Sequence, residues 1–290
     1  MVKKILSVLA GIVLVLLLAG AYVWHEHGQR WQEEYAAFRK TAAPVLMYHA
    51  VGPEVGIEWP KSLIMPAELF ESHLCYLKDN GYTIVSVEQL AHRLEKGESV
   101  DKYVALSFDD GYKNNHDVVL PLLKKYDAKA SFFVINKEIG KPIFMDDNDI
   151  KDMIAAGMEL GSHTYSHNPL AKIDTKYLVW EFDTSRYWLK KNYDGYIVRT
   201  LAYPNGSYNE TVIEASKKYG FYRALTGHVG VNTESTYKAA PMEMYRVTVA
   251  DDGNGLEGFK DRLEQAYFFG FLQTKGLDIN VIRDIFVQGY

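Results

Sequence analysis

Ser107, Phe108, Asp109, Asp110 and Gly111 end an apolar run with two adjacent carboxylates. Neighbouring acids repel one another, and a divalent cation offsets that repulsion. In extended backbone successive side chains point to opposite sides, so one aspartate can hold a metal while the other addresses a reactant beside it. Gly111 lets the chain turn at once. The pair would serve equally as a cap accepting N–H groups of a following helix. A second segment, Gly161-Ser162-His163-Thr164-Tyr165-Ser166-His167-Asn168-Pro169, carries two histidines four residues apart. On one helical turn their imidazoles would share a face and chelate one ion. With a carboxylate they make three protein ligands and leave positions for water and substrate, as catalytic zinc sites do. A third segment, Leu201-Ala202-Tyr203-Pro204-Asn205-Gly206, ends in a tight turn. Such a turn either presents N–H groups to an oxyanion or simply reverses the chain.

These segments need elements that bring them together. Short apolar runs at 45–48, 83–85, 103–108, 130–135, 158–160, 201–203, 222–225 and 245–249 read as strands. Helical patterns fall at 67–80, 118–126, 149–156, 175–191, 210–219 and 255–265, and Ser86 with Gln89 forms a capping-box signature for another. Repeated β-then-α predicts an α/β fold with a mainly parallel sheet, and about seven units favour a barrel. In a barrel the chemistry gathers where strands end and βα loops begin, which is where all three segments lie. The tail from 266 onward, with Tyr267, Phe268, Phe269 and Phe271, is expected to lie on the barrel exterior.

The chain has 290 residues, a net charge of −5, 48% hydrophobic and 24% charged residues, which argues against disorder. Weak acidity excludes the clustered positive charge of a nucleic-acid binder. The one cysteine, Cys75, excludes an intramolecular disulfide and a Cys-rich zinc site, so any metal must be held by histidines and carboxylates. Lys3 and Lys4 precede an uncharged apolar run over 5–24. Twenty helical residues span roughly 30 Å, the thickness of a bilayer core. The leading lysines predict a cytoplasmic N-terminus and an exported remainder. Ala19-Gly20-Ala21 also has the form of a signal-peptide cleavage site, so the segment is either an anchor or a cleaved signal. Residues 25–43 read as a linker or stalk, and 44–290 as the working domain, held outside the cytoplasm.

The segments S-F-D-D-G at 107–111, H-T-Y-S-H at 163–167 and L-A-Y-P-N-G at 201–206 resemble, in order, the first three motifs of the polysaccharide deacetylase family (carbohydrate esterase family 4). The resemblance covers roughly residues 44–265. Met47-Tyr48-His49-Ala50-Val51 and the form of the third motif look most like the poly-β-1,6-N-acetylglucosamine deacetylase branch. It implies a distorted (β/α) barrel and metal-dependent removal of acetyl groups from sugars; the apolar run over 5–24, read as an N-terminal transmembrane helix, would precede that barrel.

Carried over residue by residue, Asp110, His163 and His167 would bind the metal and Asp109 would be the general base. Zinc is the default ion for such ligands, and cobalt or nickel would suit them too. The usual third motif has an arginine where Ala202 aligns, so the group that braces the base is missing; Arg199 lies nearby. The late Leu-x-His motif is absent as well, since no histidine follows His228. In the branch resembled the domain is circularly permuted, and the early Tyr-His segment nominates His49 as general acid. His116 and His228 are reserves for that role, whereas His73 and His92 read as packing residues. The Asn205 N–H would help hold the oxyanion, and Tyr165 and Tyr203 adjoin site motifs as substrate contacts. The expected substrate is an acetylated polysaccharide containing N-acetylglucosamine, either poly-β-1,6-linked exopolysaccharide or peptidoglycan, with the membrane as the other partner. Two alternatives stand beside this: an O-acetyl esterase on a xylan-like polymer, and a non-catalytic polysaccharide-binding barrel.

Overall fold

The computed structural model describes residues 28–53 and 63–277. The chain divides into two compact units at Lys40 and Thr41. In the first, residues 28–39 form a helix. The apolar run over 5–24, His25, His27 and residues 278–290 lie outside the described residues. Among those described, no helix is long and apolar enough to cross a membrane.

The second unit carries the site. Its main strands are β1 (Val45–Tyr48), β2 (Thr83–Val85), β3 (Tyr103–Phe108), β4 (Ser131–Val134), β5 (Glu159–Ser162), β6 (Thr200–Ala202), β7 (Arg223–Val229) and β8 (Met244–Thr248). All pair in parallel in the order β1-β8-β7-β6-β5-β4-β3-β2. A further pairing of β1 with β3, Val45 opposite Ala105 through Tyr48 opposite Phe108, closes seven strands into a barrel. The helices are α1 (Ala67–Asp79), α2 (Val87–Lys96), α3 (Leu120–Lys125), α4 (Asp147–Ala155), α5 (Thr175–Asn192), α6 (Glu210–Lys218), α7 (Glu234–Ala239) and α8 (Gly255–Thr274). Because every strand runs the same way, the ends of β1, β3, β5 and β6 share one rim.

Local chemistry explains the boundaries. Ser86 accepts from the Gln89 N–H while the Gln89 side chain returns to the Ser86 N–H, which starts α2; Gly97 ends it in the left-handed region. Asp146 and Asp149 make the same reciprocal cap on α4, so that helix begins earlier than the apolar pattern indicated. Before α3, residues Asn115–Val119 form a π-helical turn where a regular helix was expected from 118. The tail does not begin at 266: α8 continues to Thr274 with Tyr267 and Phe271 buried and contacts α1.

An aromatic layer orients the rim. Tyr48, Phe108 and Phe132 stack across β1, β3 and β4 at centroid distances of 5.3 and 4.9 Å. Phe70 of α1 meets the Tyr48 and Phe108 rings edge-on. With Tyr48 and Phe108 turned toward the helix layer, strand alternation turns the next residues, His49 and Asp109, the other way. Gly161 of β5 lies so close to Phe133 that a Cβ there would stand 2.3 Å from the ring, so only glycine permits this spacing of β4 and β5.

Candidate active site

Asp109 and Asp110 leave β3 at the rim, both almost fully buried. The Asp109 N–H donates to the Tyr48 carbonyl, and Asp110 and Gly111 then take left-handed φ values of 74° and 83°. Val134 packs against Gly111 at that sharp reversal, and both carboxylates stay near His163, whose Nε2 is 3.9 Å from Asp109 Oδ2 and 3.5 Å from Asp110 Oδ1. The following helical turn has Asn114, not either aspartate, at its N-cap position.

His163 and His167 are brought together by a different device from the expected helical turn. Residues 163–169 form an irregular loop in which Thr164 and His167 have φ of 66° and 62°. The His167 N–H donates to Thr164 Oγ1 at 3.1 Å. Glu181 of α5, buried, braces the loop by accepting from the N–H groups of Tyr165 at 2.9 Å and Ser166 at 2.8 Å, and from the Ser166 hydroxyl. The two rings end with centroids 4.7 Å apart.

The Nε2 atoms of His163 and His167 each lie 3.5 Å from Asp110 Oδ1. Three donor atoms, one each from Asp110, His163 and His167, fall within 4.8 Å of one another. His163 Nδ1 donates to the Ala202 carbonyl at 2.8 Å, which leaves the Nε2 lone pair directed at Asp110. Burial pushes His163 down to about 3, so the ring is neutral. Burial and then the charge of Asp109 push Asp110 up to about 7, against a hydrogen bond from Tyr112. Asp110 Oδ1 is buried without a hydrogen-bond partner. Two neutral imidazoles facing an orphaned carboxylate oxygen are the donor set of a divalent cation, and these residues fit one.

Asp109 faces another partner. Arg246 of β8 directs Nη1 to both Asp109 oxygens at 2.8 and 2.7 Å, and its Nε donates to the Thr226 carbonyl at 2.8 Å. Burial would raise the Asp109 carboxyl, but the charge and hydrogen bonds of the Arg246 guanidinium oppose it, and the group is held below its ordinary value. Arg246 fills the place of the brace missing from the third motif. Arg199 does not: it is exposed and pairs with Glu88 at 3.3 Å.

His49 follows β1 at the same rim, and its carbonyl accepts from the Asn115 side chain at 2.9 Å. Burial lowers its basicity, Asp109 opposes that, and Arg246 and His167 add to it, so the ring shares the electrostatic field of the site. His116 instead contacts Asp117 at 2.8 Å, with Asp149 and Asp152 close by, and His228 is exposed against Tyr208. A grouping of His116, Asp117 and Asp149 could also hold an ion, but both Asp149 oxygens are already taken by Lys113.

Asn205 is exposed in the left-handed region within the turn Pro204–Gly206. Gly206 donates to Tyr203 and Ser207 to Pro204, and proline has no N–H, so Asn205 carries the turn's uncommitted donor. Tyr165 is half-buried with its ring 4.4 Å from Trp180. Tyr203 departs from expectation. It is fully buried, stacked on Tyr208 at 4.9 Å with its hydroxyl toward Ser216 of α6. Its side chain belongs to the helix layer, because the alternation that exposes the turn sends this ring outward.

Residues 96–224 match the model of the polysaccharide deacetylase family. The chain is 30% identical to the Bacillus subtilis polysaccharide deacetylase-family protein YxkH over 238 residues, 79% of this chain and 80% of the relative. It is 26% identical to the poly-β-1,6-N-acetyl-D-glucosamine N-deacetylase of Staphylococcus epidermidis, over 75% of this chain and 84% of that one. The structure of the Streptococcus pyogenes deacetylase PplD in complex with acetate superposes with a TM-score of 0.69 at 27% identity, covering 79% of this chain and 99% of that one. The chain belongs to the polysaccharide deacetylase family. It is a deacetylase, an enzyme acting on an acetylated polysaccharide.

Proposed function

We propose that this enzyme hydrolyses N-acetyl groups on N-acetylglucosamine residues of an extracytoplasmic polysaccharide, with a poly-β-1,6-linked exopolysaccharide preferred over peptidoglycan. One observation carries the reading: two adjacent aspartates are divided between unlike partners, Asp109 to Arg246 and Asp110 to His163 and His167. One carboxylate is thereby kept for proton transfer and the other for a ligand role. The relative in Staphylococcus epidermidis, named for that substrate, supports the choice of polymer. The apolar run behind Lys3 and Lys4 supports a chain tethered to the membrane with its barrel outside.

Asp110, His163 and His167 would hold a divalent ion, zinc by their chemistry, which supplies Lewis-acid polarisation of the acetyl oxygen and of water. Asp109, kept ionised by Arg246, takes a proton from the attacking water. As the oxygen–carbon bond forms, the Asn205 N–H donates to the developing oxyanion. His49 in its protonated form delivers a proton to the sugar nitrogen as the carbon–nitrogen bond breaks, releasing acetate and a free amine. An amide nitrogen leaves poorly without that proton.

Asp110→Ala, His163→Ala and His167→Ala are each expected to lose bound metal by elemental analysis. Asp109→Asn is expected to retain it and lose turnover on β-1,6-linked oligomers, read as acetate and free amine. Full activity of Asp109→Asn would overturn the assignment of the base. Faster release from acetylated xylan than from any N-acetylated oligomer would replace the substrate.

A further inference from the structure

The outer side of α5 presents Tyr177, Trp180 and Tyr187 at 55%, 46% and 64% exposure. At 100° per residue they share one face with Thr184, opposite the buried Leu178, Glu181, Phe182, Ser185 and Leu189. A row of exposed aromatics opposite the core calls for an occupant. We infer that this face is a docking track for the polysaccharide chain, continuous with the active site through Tyr165; the inference rests on the substrate class proposed above.

Continuity is the first argument. Tyr165 lies between His163 and His167, and its ring meets Trp180 edge-on at 4.4 Å. The neighbouring residue, Glu181, holds the backbone of the same loop, so the aromatic step and the site loop are fixed to one turn of α5. A polymer leaving the reacting sugar over Tyr165 reaches Trp180 next. From Tyr177 to Tyr187 the helix rises about 15 Å, enough for more than one sugar ring.

Chemistry is the second. Pyranose rings have apolar C–H faces that lie on aromatic rings and hydroxyl edges that need polar neighbours. Asp183, exposed, stands three residues after Trp180 and four before Tyr187, next to both on the helix surface. An acid among aromatic rings suits a sugar whose acetyl group has been removed, because the ammonium can pair with the carboxylate and lie over a ring. Cation–ring contact already occurs there, with Lys176 Nζ 4.9 Å from the Tyr177 centroid.

The test uses the full chain carrying Asp109→Asn, which should bind without turning over. A β-1,6-linked N-acetylglucosamine pentamer and dimer are titrated by calorimetry. Adding Trp180→Ala with Tyr187→Ala is expected to weaken pentamer binding at least fivefold and leave the dimer unchanged, and Trp180→Tyr in place of Trp180→Ala to restore most of the loss. Equal pentamer affinity with and without the rings would overturn the track. So would Trp180-dependent sedimentation with phosphatidylglycerol vesicles while pentamer binding is untouched, which would assign the face to lipid. Acetate release from the pentamer by the unsubstituted enzyme separately decides the proposed reaction, so either conclusion can fall alone.

Discussion

Asp109 and Asp110 are the same side chain one peptide apart, and their surroundings drive them in opposite directions, one down beside Arg246 and the other up to about 7. The base must be ionised to work, so activity falls as pH drops through the Asp109 pKa. Arg246→Gln removes the positive charge that does most to offset burial, and the acid limb of kcat/KM is expected to move upward by about one pH unit or more. An unmoved limb in a pH–rate profile would leave Arg246 without its bracing role. His49→Ala is expected to cost about 100-fold or more on N-acetyl amides and far less on activated acetyl esters, whose leaving groups need no proton. Equal losses on both substrates would remove His49 from acid catalysis. Asp109, Asp110 and the histidine pair were legible in sequence because each sits in a short motif. Arg246 was not, because it is 137 residues from the carboxylate it braces, and only the β1–β3 pairing that closes the barrel brings the end of β3 near β8, the other neighbour of β1.

At the scale of elements, strands were legible where β-forming runs met turn residues, as in β3 between Lys102 and Gly111. The loop after β5 departs from the expected helical turn for a physical reason: a spacing of four is equally satisfied by a helical turn and by a loop with two left-handed residues. What selects the loop is Glu181, on the following helix, whose buried carboxylate collects the N–H groups a helix would have used internally. No local pattern announces such a residue, since it occupies an ordinary buried position of α5. Its removal should leave the loop's donors unpaired and the imidazoles poorly fixed. Glu181→Ala is expected to weaken zinc affinity about 10- to 100-fold, as loss of groups that orient metal ligands does. Competition titration against a chromogenic chelator reads this directly. An unchanged affinity would mean that the loop holds its shape without the brace.

At the scale of the whole barrel unit, α1 and α8 are tied together against the wall at β1. Tyr48 of β1 contacts His73 Nδ1 of α1 at 3.2 Å, and the imidazole stacks on Phe259 of α8 at 4.0 Å. His73 is 1% exposed, and burial pushes it down to about 3 from an ordinary 6.5. The unfolded chain therefore binds a proton there that the folded chain refuses over that interval. Stability contributed by the neutral ring is fully present above about pH 6.5 and drains away as pH falls, by about 1.4 kcal/mol per pH unit for a single such group. His163, buried at about 3 as well, pulls in the same direction, so acid loosens both the clamp and the site. His73→Leu keeps an apolar group against Phe259 and removes one of the two protons. Its melting temperature between pH 7 and 4.5 is expected to fall less steeply than that of the unsubstituted chain, even if it starts lower because the Tyr48 contact is gone. Parallel curves would mean that His73 already takes up its proton in the folded state, and that the junction of α1, α8 and β1 admits water which its packing now excludes.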